Sequence, residues 1–275
     1  MIKISVSIVC FNSPRKQLDA LLRTLVSSVR FMRQHIEIAP MPVYLIDNSE
    51  SAFLSGHDFE SYQKELDELL VKMNYIGGHG NIGYGRAHNL VLEKLESDFH
   101  LMLNSDVTLA EDALFEAVSL LSSNPDMKML GPSAVNSAGE KQHLCKRQPT
   151  ILLLLLRALV PRKLRHIFAR RLDHYEMRDL PEDRPTDNIP FLSGCFMLID
   201  TPVFRKVSGF DRSYFLYFED FDLSLRINEL GTLVYAPRVC ITHSGGKTFS
   251  KGLWHIVIFS LSACRFFSNH GWRVF

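Results

Sequence analysis

Hydrophobic positions recur with two different periods along this chain. From Lys3 to Cys10, apolar residues alternate with Ser5 and Ser7, the two-residue period of a strand. Asn12-Ser13-Pro14 then reads as a helix start with proline in the first turn, and Leu18, Leu21, Leu22, Leu25, Val26 and Val29 fall on one helical face. Val43 to Ile46 predicts a second strand, ending in Asp47-Asn48-Ser49. A helical run near Asp58 to Leu70 leads to a strand over Val71 to Tyr75. The glycine-rich loop Gly77 to Gly85 precedes a helix over Arg86 to Leu95 and a strand over His100 to Leu103. Glu111 to Ser123 predicts another amphipathic helix, stopped by Asn124-Pro125. Such alternation predicts an α/β fold, a Rossmann-like mixed and mostly parallel sheet flanked by helices. Ligands of these sheets gather at the carboxyl ends of the strands.

The second half is less regular. Residues 140–190 are polar, charged and proline-containing and read as an insertion or mobile segment. Phe191 to Ile199 and Leu233 to Ile241 read as strands. The most apolar stretches are Ile151 to Val160, interrupted by Arg157, and Leu253 to Phe267, interrupted by His255 and Arg265. Both fall short of a membrane span. The opening strand lacks the pattern of a signal peptide.

Composition narrows the class. The 275 residues are 46% hydrophobic and 22% charged, which excludes a disordered, collagen-like or coiled-coil chain. Thirty-one Lys and Arg against 30 Asp and Glu leave no global field to draw the protein onto nucleic acid. Five cysteines without C-x-x-C spacing argue against a disulfide framework or structural zinc and for a reducing compartment. Charge is nevertheless uneven: Lys146 to Arg171 holds eight Lys or Arg and no acid, and no acid follows Glu229. With Leu152 to Leu156 inside it, the basic segment fits either an interfacial membrane helix or a core helix with solvated flanks.

Four segments carry candidate chemistry. Gly78-His79-Gly80-Asn81-Ile82-Gly83 matches the dinucleotide fingerprint G-x-G-x-x-G, but two βα units precede it and Asp106 falls in an acidic loop rather than at a ribose site. Asn104-Ser105-Asp106 ends an apolar strand and suits Mg2+ or Mn2+, hard cations that prefer oxygen. Phe215-Leu216-Tyr217-Phe218-Glu219-Asp220-Phe221-Asp222 sets three carboxylates among aromatics, where desolvation and repulsion raise a pKa toward that of a general base. The plainer reading is a helix N-terminus favoured by its dipole. His243, after a strand and before Ser244-Gly245-Gly246, reads either as a structural imidazole or, beside the Gly-Gly pair and Lys247, as a metal or diphosphate ligand.

Together, and in this order, these segments resemble the inverting glycosyltransferases of family 2, and most closely bacterial rhamnosyltransferases of O-antigen and other cell-surface polysaccharides. Val6-Ser7-Ile8-Val9-Cys10-Phe11-Asn12 is similar to the family's opening V-S-I-V-T-Y-N, and Asp47-Asn48-Ser49 to its D-N-x-S turn. Asn81-Ile82-Gly83-Tyr84-Gly85-Arg86-Ala87-His88-Asn89 matches N-x-G-[FY]-[GA]-x-[GA]-x-N and replaces the dinucleotide reading. Asn104-Ser105-Asp106 stands at the D-x-D-type motif, with Asn in place of its first acid. Ser193-Gly194, Gly209-Phe210-Asp211, Glu219-Asp220-x-Asp222 and His243-x-Gly245-Gly246 complete the pattern, which spans roughly residues 3–250.

The resemblance implies a GT-A fold with a nucleotide-sugar-binding half over 1–110 and an acceptor-binding and catalytic half over 111–250, carrying the basic insertion 140–190. An amphipathic, membrane-associated segment over 251–275 would follow. It further implies Asp220 as catalytic base with Glu219 as second choice, and Asp106 and His243 as ligands of Mg2+ or Mn2+. Asn12, Asp47, Asn81, Gly83, Gly85, Asn89, Asn104 and Asp222 would contact substrate. The expected donor is dTDP-L-rhamnose, with a UDP-hexose or UDP-galactofuranose as the second reading. The expected acceptor is a polyprenyl-diphosphate-linked glycan at the inner face of a bacterial membrane. A non-catalytic GT-A scaffold is the rival outside enzymology, and a nucleotidyltransferase is disfavoured because no glycine-rich loop follows the first strand.

Overall fold

The structure is a computed structural model and describes residues 1–51, 53–54, 60–160, 162–245 and 252–275. The expected start of the second helix at Asp58, and Gly246 and Lys247 after His243, lie outside the described residues.

The N-terminal half follows the hydrophobic pattern. Strand β1 (Ile4–Cys10) is buried at all seven positions, as a central strand covered on both faces must be. Helix α1 (Arg15–His35) starts at Pro14, whose carbonyl accepts from Gln17 and Leu18, and lays its leucine and valine face on the sheet. Strand β2 (Met41–Asp47), helix α2 (Gln63–Glu68) and strand β3 (Val71–Ile76) follow. Helix α3 (Tyr84–His88) is short: from Asn89 the chain tightens into a 3-10 helix that runs to Lys94. Strand β4 (Phe99–Asn104), the brief β5 (Val107–Leu109) and helix α4 (Ala113–Ser122) complete this half.

Strand β6 (Met127–Val135) and the two-residue β7 (Lys141–Gln142) open the second half. The segment between 140 and 190 carries helix α5 (Ile151–Leu159), a 3-10 turn over 162–168 and helix α6 (Ala169–Tyr175). It buries Cys145, Leu153, Tyr175, Met177 and Ile189, so part of this polar stretch packs into the body of the protein. Strand β8 (Phe196–Asp200), helices α7 (Thr201–Lys206) and α8 (Glu219–Asn228), strand β9 (Thr232–His243) and helix α9 (Leu253–His270) follow. Here β8 starts five residues later than the pattern predicts. The Leu192 amide donates to Ser224 Oγ and the Gly194 amide to Asp220 Oδ2, so side chains of α8 take donors that a longer strand would have given to the sheet.

Among the described residues one nine-stranded sheet runs in the order β3-β2-β1-β4-β8-β6-β9-β5, with β7 on β6. The β3-β2-β1-β4 block and the β6-β9 pair are parallel, while β8 is antiparallel to both of its neighbours. One large hydrophobic cluster lies under α1 and α4, and a second lies on the other face under α3, α7 and α8. Between them, Ser5, Ser7, His88 and His100 form a buried hydrogen-bonded chain, with contacts of 2.7–2.8 Å. Burial holds both imidazoles neutral, pushing His100 down to about 3 and His88 well below its ordinary value.

Candidate active site

The carboxyl ends of β1, β2 and β4 open into a cleft of about 510 Å3, lined among others by Phe11, Asn48, Asn81, Tyr84, Asn104 and Asp106. Trp254, His255 and Ile258 of α9 close its far side. Phe11, 49% exposed, offers a ring face on which a nucleobase can stack. Asn48 organises the floor: its Oδ1 accepts from the Ile82 amide, and its Nδ2 donates to Asn81 Oδ1 at 3.1 Å. Asn81 Oδ1 also accepts from the Gly83 amide. Gly83 is irreplaceable by geometry, because its φ is +93° and a Cβ there would stand 2.3 Å from the Phe215 carbonyl oxygen.

Sheet register brings Asp106 to His243. The β5–β9 ladder pairs Val107 with His243, so the turn that holds Asp106 abuts the end of β9, and the Ser244 amide donates to the Asp106 carbonyl. Asp106 Oδ1 lies 3.5 Å from His243 Nε2. Gln142 fixes the tautomer. Its Nε2 donates to the His243 carbonyl at 3.0 Å, so its Oε1 is the atom facing His243 Nδ1, and Nδ1 must carry the proton. On its other side the ring faces Asp106 Oδ1, a buried carboxylate oxygen that has no hydrogen-bond partner. A carboxylate and an imidazole converging on one point are groups of the kind that bind divalent cations. Gly245 leaves room for one, since a Cβ there would meet Asp106 Oδ2 at 2.3 Å and His243 Nε2 at 2.8 Å. Among the described residues no group of three or more His, Cys, Asp and Glu gathers, so a cation here would draw its other ligands from substrate and water.

The second group of acids stands at the N-terminus of α8. Tyr217 and Phe218 immediately before it both have left-handed backbone, φ 70° and 64°, a costly conformation for aromatic residues. Phe218 is held there by Phe221, Phe259 and Phe266, with ring centroids 5.2–5.6 Å away, and Tyr217 by a 2.8 Å bond between its hydroxyl and His255 Nδ1. This kink turns Glu219 and Asp220 into a cavity of about 250 Å3, walled by Lys146, Leu154, Arg157, Tyr175 and Phe259.

The two acids differ. Asp220 accepts from the Gly194 and Phe221 amides at 3.1 and 3.0 Å, whereas Glu219 Oε2 is buried without a partner. Desolvation raises both pKa values; the charge of Asp220 adds to the rise at Glu219, while backbone donors oppose it at Asp220. Glu219 is thus the member that keeps its proton, and Asp220 the one that ionises.

Ser193-Gly194-Cys195 ties the two sites together. Gly194 binds Asp220 through its amide, the Cys195 carbonyl accepts from the Asn104 amide at 3.0 Å, and the Tyr84 hydroxyl donates to the Gly194 carbonyl. Burial pushes the Tyr84 phenol well above its ordinary value, and the nearby carboxylates of Asp220 and Asp106 add to the rise.

The other sequence-predicted residues lie behind or beside the cleft. Asp47 is buried, and although desolvation pushes its carboxyl up, hydrogen bonds from Ser49, Leu54 and Phe53 hold it below the usual range. It shapes the turn after β2. Asn12 is exposed at the rim with φ 47°, its amide donating to Ser49 Oγ. Asn89 clamps the Phe210 amide and carbonyl, and Gly85 packs directly on the Phe210 ring. Asp222 is buried between Arg226, at 2.7 Å, and His270, at 2.8 Å, on another face of α8. Two positions along a helix turn a side chain about 200°, so Asp220 and Asp222 cannot share one cavity.

Sequence reasoning missed Lys146, Arg157 and Tyr175. Both cations sit over the Tyr175 ring, at 5.8 and 5.3 Å, and burial pushes the Lys146 ammonium down to about 8. The run of basic residues was visible; Glu219 and Asp220, which share the cavity with Lys146 and Arg157, are more than 60 positions away.

Solved glycosyltransferases share this architecture. The first 349 residues of S. aureus TarS superpose with a TM-score of 0.59 at 14% identity, covering 97% of this chain and 66% of that one. A mannosyltransferase from Pyrobaculum calidifontis, in complex with GDP-Man and Mn2+, gives 0.59 at 15%, covering 96% and 64%. The present chain thus spans just under two thirds of these solved chains, and the likeness establishes the GT-A fold. The sequence model described as "Glycosyltransferase like family 2" matches residues 3–255, and the chain belongs to that family. Among curated relatives, the N-acetylglucosaminyl-diphospho-decaprenol L-rhamnosyltransferase of Mycobacterium tuberculosis is 28% identical over 229 residues, 78% of this chain and 69% of the relative. Rhamnosyltransferase WbbL of Escherichia coli is 26% identical over 244 residues, 76% and 77% respectively.

Proposed function

We propose that this chain is an inverting transferase that moves L-rhamnose from dTDP-L-rhamnose to a hydroxyl of a polyprenyl-diphosphate-linked glycan. The observation that carries the reading is the geometry of Asp220, an ionisable carboxylate held by two backbone amides on the wall of a cavity, and linked through Gly194 and Cys195 to the strand end beside the donor cleft. The relatives named for rhamnosyl transfer, one of them for a decaprenol-linked acceptor, favour this donor and acceptor class.

In this mechanism the nucleotide lies along the ends of β1, β2 and β4, its base beside Phe11 and its sugar toward Tyr84. Asp220 takes the proton of the acceptor hydroxyl as its oxygen attacks the anomeric carbon from the face opposite the diphosphate, which departs with its electron pair. Glu219, protonated and unpartnered, keeps the cavity's net charge down so that one carboxylate can ionise. Asp106 and His243 would hold Mg2+ or Mn2+, which when bound offsets charge on the departing diphosphate. On this reading the donor cleft draws on both halves of the chain, since Phe215, Trp254, His255 and Ile258 line it beside the strand ends.

We place the protein on the cytoplasmic face of a bacterial membrane. Among the described residues no helix is long and apolar enough to cross one, but Leu253, Trp254, Val257 and Leu261 of α9 are all at least 49% exposed. Binding to anionic vesicles that high salt releases would support this peripheral contact.

A thermal-shift panel of nucleotide sugars, with and without Mn2+ or Mg2+, tests the donor. A ligand at 100 times its Kd adds about 2.7 kcal/mol of stability. Selective stabilisation by dTDP-L-rhamnose, followed by transfer to a prenyl-diphosphate glycan, supports the assignment. Stabilisation by a UDP-sugar instead overturns the donor, and no response to any nucleotide sugar overturns the reaction.

A further inference from the structure

Beside the carboxylate cavity runs a second, apolar cleft of about 260 Å3 between α5 and α9, lined among others by Ile151, Leu155, Ile256, Ala263, Phe267 and Trp272. Leu154 and Phe259 belong to the walls of both spaces, so one opens beside the other. The frame of the cleft is fixed: the first amides of α5, Ile151 and Leu152, donate to the carbonyls of Arg273 and Val274 at 2.9 and 3.1 Å, locking α5 onto the chain after α9. Its mouth is nevertheless unusually greasy for a protein surface, with Leu155 at 49%, Ile256 at 50% and Trp272 at 58% exposure. At the junction with the carboxylate cavity stand two cations, Lys146 and Arg157, both over the Tyr175 ring.

We infer that this cleft seats the first prenyl units of the acceptor's lipid, with Lys146 and Arg157 receiving the diphosphate between lipid and sugar. The inference rests on the proposed acceptor class and assigns that class a binding surface. Charge and polarity change in the order the ligand would require. The cleft is apolar where an isoprenoid chain would lie, cationic where the diphosphate would follow, and acidic where the first sugar hydroxyl meets Asp220. A diphosphate has no other partner as suitable in this cavity, whose remaining polar groups are the phenols of Tyr175 and Tyr217 and the two acids. The chain's alkyl carbons would exchange water for leucine, isoleucine and aromatic carbon, the contact that drives such binding.

The test measures the full-length protein against geranyl diphosphate, inorganic diphosphate and geraniol, reading Trp fluorescence because Trp272 lines the cleft. Geranyl diphosphate is expected to bind at least about tenfold more tightly than inorganic diphosphate, the gain of burying a few alkyl carbons. Leu155→Asp and Ile256→Asp, both at half-exposed positions that need not disturb the core, are expected to erase that gain, weakening geranyl diphosphate far more than inorganic diphosphate, which feels only the added charge. Lys146→Met is expected to weaken both diphosphates and spare geraniol. Equal affinity for the two diphosphates in the wild type, or Asp variants that keep the preference, would overturn the inference. So would a chain preference that arises only when vesicles are added, since the bilayer would then be the occupant. Transfer assays separate this from the function itself. A protein that binds geranyl diphosphate as described yet glycosylates no prenyl-diphosphate acceptor refutes the reaction and keeps the cleft; one that glycosylates short and long acceptors alike does the reverse.

Discussion

Asp106 and Asp220 lie at the ends of different kinds of element and are prepared in different ways. Asp106 occupies the turn between β4 and β5, placed opposite His243 by the β5–β9 register, with Gln142 setting the imidazole from behind. Its environment is polar, and its buried Oδ1 has no hydrogen-bond partner. Asp220 is aimed by a strained two-residue kink and a wall of phenylalanines, and both its oxygens already accept backbone donors. On the proposed reading, the carboxylate that would gather a cation is left with coordination to spare, and the one that would take a proton is pinned by two amides. The first depends on strand pairing, the second on packing, so they should fail in different ways when altered.

The sharpest test of that difference is Asp220→Asn. It should lower turnover by about a thousandfold, within the usual range for loss of a general base, while nucleotide-sugar affinity measured by calorimetry changes less than twofold. Equal losses of binding and turnover would erase the distinction between the two acids. On the other side, Gln142→Leu touches no substrate but releases the His243 ring, and should weaken Mn2+ affinity in the presence of the nucleotide diphosphate by about 10- to 100-fold. Titration of the Mn2+ paramagnetic resonance signal would show this, with turnover recovering as Mn2+ is raised.

Two glycines sharpen the contrast further. Gly83→Ala must meet both a clash with the Phe215 carbonyl and an unfavourable φ, and should cost about 2 kcal/mol in a denaturant melt. Gly245→Ala has no positive φ to violate and meets side-chain ends rather than backbone; it is expected to cost less in the melt than Gly83→Ala and to weaken metal binding, because its added methyl group enters the space between Asp106 and His243.

The smallest effect concerns pH. Glu219 and Asp220 have raised pKa values in the folded protein, so they bind protons more tightly there than in the unfolded chain. Their contribution to stability is therefore full below about pH 4, the unfolded value, and is lost as pH rises through the folded one. Glu219→Gln should remove much of that slope and make the protein more stable than wild type at pH 8, by about 1 kcal/mol, in urea melts at a series of pH values. A variant with the wild-type slope would show that the pair titrates normally.

Much of this was readable from the chain. The alternating strands and amphipathic helices of the first half follow directly from side-chain period, because each buries one face or both against a neighbour near in sequence. Asp106, Glu219, Asp220 and His243 stood out as acids or imidazole beside apolar runs. Asp222 stood out equally, and only its position two residues from Asp220 tells that it points elsewhere, to Arg226 and His270. Asp47 and Asn89 were visible as polar residues at element ends, but whether such a side chain faces ligand or backbone depends on where a loop returns. For Asn89 the loop is that of Phe210, more than a hundred residues on. Lys146 and Arg157 were hidden for the same reason. A basic stretch looks like a solvated flank until the fold lays it over acids from another part of the chain. The late start of β8 was hidden because Ser224 and Asp220 take its first amides, a competition no local pattern records.

Helix α9 contributes Trp254, His255 and Ile258 to the nucleotide cleft, Phe259 to the carboxylate cavity and Ile256 and Phe267 to the apolar cleft. Little more than one turn, residues 254–259, thus forms a party wall between three compartments. Evolution could not readily retune one of them through this turn without being felt in the others. Donor choice and acceptor choice would drift as a pair, and an engineer seeking a new acceptor should graft the whole helix rather than edit single positions along it.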